Sequence, residues 1–145
     1  MDTSSPGTTG AAPPRARVDS VGIVSGDLAA TAAFYRALGG DVPDPDESGH
    51  LAWDAGGTTL MADTEAVMRS FSTDTWSGPG AGRLTLAARC ASPADVDALH
   101  EALVPLGRGS HVAPFDASWG MRYATVLDPD GNRVDLYADL PQQEG

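Results

Sequence analysis

One pattern occurs twice in this chain, and the repetition limits its fold more than any other feature. His50–Asp54 and Thr58–Asp63 read as strands joined by a turn at Ala55-Gly56-Gly57. Arg122–Leu127 and Asn132–Tyr137 read as strands around the turn Asp128-Pro129-Asp130-Gly131. Superposing Gly57 on Gly131 sets an offset of 74 positions, which lays Asp54 on Asp128, Leu60 on Val134 and Ala52 on Val126. Near the start of each half Ser20 falls on Thr85, an offset of 65. Several residues are therefore inserted in the second half, one group at Ser92-Pro93.

The helices fall in matching places. Val18, Val21, Ile23 and Val24 form a short β-type run. Asp27 then caps a helix with Leu28, Thr31, Phe34, Tyr35 and Leu38 near helical spacing, and Gly39-Gly40 stops it. A weak strand follows Asp41, with Pro43 and Pro45 confining it to an edge. In the second half, Leu84–Cys90 is a strand. Ser92 caps a helix with Pro93 at its first position, Asp95 where a capping-box acid belongs, and Val96, Leu99 and Leu103 on its buried stripe. Pro105 ends that helix, and residues 109–114 form a further strand. The expected organisation is a tail at 1–16 too poor in apolar residues to order, one domain at 17–140 and a short tail at 141–145. Within the domain, modules at about 17–64 and 83–140 flank a linker at 65–82, which starts helix-like and ends rich in Gly and Pro.

Composition removes several classes of function. Net charge is −11, and all nine basic residues are Arg, so no basic patch exists to neutralise nucleic-acid phosphates. The acidity suits solubility and attracts cationic small molecules. The single cysteine, Cys90, forms no intrachain disulfide and has no motif of a catalytic thiol around it. No apolar run approaches the roughly 20 residues of a membrane span, and the N-terminus lacks the apolar core of a signal peptide. The expectation is a cytoplasmic protein without nucleic-acid or membrane partners. No nucleophile–base pair appears, and Gly78, Gly80 and Gly82 lack the flanking strand and helix of a dinucleotide fingerprint.

The stretch VDSVGIVSGDLAATAAFYRALGG resembles the opening of the glyoxalase/bleomycin-resistance/extradiol-dioxygenase superfamily, the vicinal oxygen chelate proteins. SPADVDALHEALVPLG and WGMRYATVLDPDGNRVDLY match better, and DPDGN followed by an alternating strand is the most specific part. The resemblance covers roughly residues 18–138. It implies an α+β fold of two βαβββ modules, each a curved mixed sheet with its helix on the convex side. It also implies a ligand cavity on the concave side and a homodimer.

Metal-using relatives hold a divalent ion with His or Glu from four strands. The matching positions here are Ser20, Met61, Thr85 and Asp135, and only Asp135 is a strong ligand. His50, His100 and His111 show no HxH or HxxxH spacing and read as surface residues. No metal or other cofactor is therefore expected. By strand alternation, Met61, Tyr123, Thr125, Asp135 and Tyr137 face the cavity if their neighbours face the helix. Carrying the repeat over, Leu51 and Trp53 face it too, with Ser20, Gly22, Thr85, Ala87 and Arg89. Trp76 and Trp119 lie in loops that could close the mouth. The candidate ligand-binding set is thus Trp53, Met61, Tyr123, Asp135, Trp119, Trp76, Thr85 and Ser20, with no catalytic residue assigned. An aromatic, mostly uncharged lining suits a planar organic ligand. The expected function is non-catalytic binding that sequesters an aromatic or cationic antibiotic or natural product. The alternatives are a metal-independent enzyme using Asp135 or Tyr123 as acid or base and, more remotely, a metal-dependent glyoxalase or dioxygenase.

Overall fold

The computed structural model describes residues 18, 20–70, 78, 80 and 85–142. The expected tail at 1–16, Trp76 and most of the Gly/Pro linker lie outside the described residues.

The first module opens with β1 (Ser20–Ser25) and α1 (Leu28–Leu38). Asp27 starts the helix because its carboxylate accepts from Ala30 N–H, and Gly39, at φ +120°, ends it. The buried stripe Leu28, Thr31, Ala32, Phe34 and Tyr35 keeps helical spacing. β2 (His50–Asp54) and β3 (Thr59–Thr64) follow, and then a short helix α2 (Glu65–Arg69). The strand expected after Asp41 does not form. Pro43 and Pro45 have no N–H to donate to a ladder. The segment is held instead by Val42, whose carbonyl accepts from Arg36 Nε at 2.8 Å, while Arg36 also pairs with Asp44 at 2.7 Å.

The second module has β4 (Thr85–Arg89), α3 (Pro93–Leu103), a 3₁₀ turn over Val104–Leu106 and three strands. These are β5 (Ser110–Asp116), β6 (Met121–Leu127) and β7 (Arg133–Asp139). Ser92 caps α3 by accepting from Asp95 N–H at 3.2 Å. The fold is α+β, two modules of the βαβββ plan forming two mixed sheets, with the second strand of the first module replaced by a stretch without regular structure. Strand order is β1-β3-β2 in one sheet and β4-β7-β6-β5 in the other. The first strand of each module lies parallel to its last strand, and the hairpins are antiparallel.

Register corrects the sequence reading at one residue of consequence. Trp53 pairs with Leu60 and Leu51 with Ala62, and directly paired residues share a face. Leu60 and Ala62 are buried against the helices, so Leu51 and Trp53 are buried there too. Trp53 is a core residue, 5% exposed, with its ring 5.5 Å from that of Tyr35, and it does not project onto the open face. The cause is loop length. The first hairpin connects Asp54 to Thr59 through 55–58, and the second connects Leu127 to Arg133 through 128–132. The second loop has one extra residue. The offset of 74 therefore holds after the turn, but before it the match is Trp53 with Val126, and a shift of one residue moves every side chain to the other face.

The second module's turn fastens the two modules together. Asp128 is fully buried, and its carboxylate accepts from Tyr35 Oη of α1 at 2.7 Å, from Asn132 N and Nδ2, and from Asp130 N. Asp130 Oδ1 accepts from Gly26 N at 2.7 Å, at the entry to α1. A single apolar core runs through both modules, from Phe34, Tyr35 and Trp53 to Val96, Leu103 and Leu136.

Candidate functional site

The open face of the second sheet, turned away from the helices, carries the densest chemistry. Ala124 and Val126 on β6 and Val134 and Leu136 on β7 are buried beneath it, which leaves Tyr123, Thr125, Asp135 and Tyr137 on the other side. Asp135 uses both carboxylate oxygens. Oδ1 accepts from Thr125 Oγ1 at 2.7 Å, and Oδ2 accepts from Tyr123 Oη. Tyr123 titrates above its ordinary value, first because burial disfavours the phenolate and then because Asp135 accepts a hydrogen bond from its O–H and adds a like charge. Tyr123 is therefore a neutral donor at physiological pH and a poor base.

Three rings cluster at the rim of this face. Phe115 on β5, Trp119 in the β5–β6 turn and Tyr123 meet edge to face, with centroids 5.6–6.1 Å apart. Trp119 is 59% exposed and Phe115 38%, a large apolar area left in solvent by a folded chain. Across the sheet the Arg89 guanidinium sits 4.8 Å above the Tyr137 ring and pairs with Asp139 at 3.4 Å. Phe115 was missed in the sequence, because two register shifts between β5 and β6 obscure which of its residues share a face.

The open face of the first sheet differs in character. Met61 is half-buried there, near Gly22 and Ala52, its register partners on β1 and β2. Ser20, on the same face of β1, is paired with Thr59, and Thr85 is exposed at the start of β4. His50, expected as a surface histidine, is exposed on this face, with Nδ1 2.6 Å from Asp63 Oδ1. The pairing of β2 with β3 puts these two residues opposite each other, and spacing in the sequence gave no sign of it. Cys90 is buried and its thiol is pushed up by that burial, which fits an inert core thiol.

Two clefts follow the seam between the modules. One, about 460 Å³, lies among Val24, Asp27, Glu65, Thr85, Asp130 and Arg133. The other, about 680 Å³, lies among Tyr35, Trp53, Leu60, Ala87 and Arg89. Neither takes in Met61, Tyr123, Asp135 or Trp119. Among the described residues nothing closes over the aromatic face.

The residues at the family's metal positions do not fit a divalent ion. Ser20 and Thr85 offer weak neutral hydroxyls, Met61 offers a soft thioether, and both oxygens of Asp135 already accept from side-chain hydroxyls. Among the described residues no three His, Cys, Asp or Glu side chains cluster as a metal site. No helix among them is long and apolar enough to cross a membrane.

Two sheets of this topology, with an open face on each, define the paired-module class. Residues 17–136 match the family model of the Glyoxalase/Bleomycin resistance protein/Dioxygenase superfamily, and the chain belongs to that superfamily. It is similar in fold to a glyoxalase/bleomycin resistance protein/dioxygenase from Nocardioides, with 23% identity over 92% of this chain and 93% of that one and a TM-score of 0.64. A glyoxalase-related enzyme from Fulvimarina pelagi superposes with TM-score 0.73 at 21% identity, covering 85% and 88% of the two chains. A family enzyme from Burkholderia phytofirmans PsJN gives TM-score 0.69 at 20% identity over 86% and 100%. No curated protein matches the chain.

Proposed function

We propose that this protein is a metal-free, non-catalytic binder of planar aromatic compounds, and that it sequesters an antibiotic or other natural product on the second sheet's open face. The observation that carries this reading is the trio Phe115, Trp119 and Tyr123, edge to face and half in solvent, beside an Asp135 whose oxygens are already taken. Aromatic rings exposed in this way gain from a flat ligand both by area and by stacking. The charge of −11 favours ligands that also carry a cation. In this reading the protein is a homodimer, in which a second chain covers the aromatic face and turns it into a cavity.

Titration of tryptophan fluorescence against a panel of aromatic and basic antibiotics tests the reading. Trp119→Ala and Tyr123→Ala should each weaken binding by about ten- to a hundredfold. Added Ni²⁺, Zn²⁺, Mn²⁺ or Fe²⁺ should leave the melting temperature unchanged, since an ion bound to the native state would raise it. An unaltered ligand affinity in both ring variants would reject the assignment of the face.

The rival is a metal-independent enzyme working through Asp135 and Tyr123. Their direct hydrogen bond is its support. Asp135→Asn separates the two: a binder loses a modest part of its affinity and releases the compound unchanged. An enzyme retains binding and loses turnover by a factor of about 100 or more.

A further inference from the structure

We propose that His50 is a second ligand contact, on the first sheet's open face, and that it takes the proton of a phenolic hydroxyl so that the ligand is held as its phenolate. This rests on the reading of an aromatic ligand and adds a chemical class to it.

Four observations converge. His50 Nδ1 lies 2.6 Å from Asp63 Oδ1. An ionised carboxylate can only accept, so Nδ1 donates in this contact, and in the neutral tautomer that makes it Nε2 is the basic nitrogen. The Asp63 side chain is largely shielded, at 18% exposure, while His50 is 47% exposed, and Nε2 has no hydrogen-bond partner among the described residues. The backbone around the ring is pinned: His50 N donates to Ser48 Oγ, Ser48 N donates to Asp46 Oδ1, and Thr64 N donates to the carbonyl of Gly49. Finally, the corrected register superposes His50 on Tyr123 and Asp63 on Tyr137, with each pair opposite in its own ladder. Both modules therefore carry a proton-exchanging ring at the same pairing position, held by a carboxylate of the last strand: Tyr123 by Asp135 and His50 by Asp63.

The two rings have opposite capacities. Tyr123 already donates its O–H to Asp135 and is a poor base, whereas Nε2 of the neutral His50 ring is free to accept a proton. When a phenol approaches, its O–H bond breaks and an Nε2–H bond forms. The electron pair remains on the phenolic oxygen, and the imidazolium charge is balanced by Asp63 at contact distance, with Asp46 the other acid whose charge interacts with the ring. The new Nε2–H then donates to the phenolate. The step needs no further reactant.

The probe is 4-nitrophenol, whose neutral and anionic forms absorb at different wavelengths, added to the full chain at the probe's own midpoint near neutrality, where an ordinary imidazole is largely neutral. The bound probe should show about tenfold more phenolate relative to phenol than the free probe, equivalent to one unit of its pKa. His50→Gln should abolish the excess, Asp63→Asn should reduce it, and His100→Gln, at a histidine of α3 whose ring meets Ser110 Oγ, should leave it in place. Nitrogen-detected NMR of the imidazole should find the proton of neutral His50 on Nδ1. Tryptophan quenching without excess phenolate overturns the role of His50 and leaves the aromatic reading standing. Absence of both signals rejects both proposals. A phenolate signal that survives His50→Gln, or a neutral ring protonated on Nε2, also overturns the inference. If His50→Gln does not fold, the Asp63→Asn response and the NMR tautomer decide.

Discussion

Trp53 and Trp119 show how much one aromatic residue's meaning depends on its surroundings. Both are tryptophans near strand ends, yet one is 5% exposed and the other 59%. Trp53→Ala should therefore lower stability by about 3–5 kcal/mol through a core cavity, with little direct effect on ligand affinity. Trp119→Ala should do the reverse. Denaturant melts alongside the fluorescence titration check the pair, and a stable Trp53→Ala protein with lost binding would contradict the register. Tyr35 makes the same point for a polar atom. Its ring is buried and its hydroxyl donates to the fully buried Asp128. Burial, and then the charge and hydrogen bond of Asp128, push the phenol far above its ordinary range, so it remains a donor at any accessible pH. Tyr35→Phe leaves one carboxylate oxygen short of a partner and should cost about 1–3 kcal/mol in chemical denaturation.

Among the elements, the β6–β7 turn does the most. Gly131 at φ +85° completes it, and its two acids reach across to the first module's helix. Asp130 titrates above the ordinary carboxylate value of 3.8, first through burial and then through the charge of Asp128, with the Gly26 amide working against the rise. A raised carboxyl pKa means that the folded state holds the proton more tightly than the unfolded one. The contribution to stability is complete below 3.8 and is lost as pH rises through the higher folded value. Asp130→Asn keeps an acceptor for Gly26 N–H and removes the titration. The melting temperature of the Asn variant should therefore gain on that of the wild type as pH rises from about 4 towards neutrality. A constant gap across that range would show that Asp130 has an ordinary pKa.

At the scale of the whole molecule, the described residues leave the second sheet open on one side, with β5 at its edge and the aromatic trio at its rim. Unpaired edges and exposed apolar area favour association. Sedimentation at micromolar concentration should find a homodimer, and Trp119→Ala should shift it towards monomer. A monomeric wild type would leave the proposed cavity without its second wall. The sequence alone was enough to establish the repeat, the caps at Asp27 and Ser92, the α+β class and the family, because these depend on local spacing and on residues whose backbone preferences are strong. It also put Tyr123 and Asp135 on the same face, since alternation within strands is a local rule, while their direct hydrogen bond came from the strand pairing. Tertiary structure alone decided the side taken by Trp53, the partnership of His50 with Asp63 and the membership of Phe115 in the aromatic face. Each of these depends on register between strands, and register turns on one residue of loop length or one bulge, which composition and periodicity do not encode.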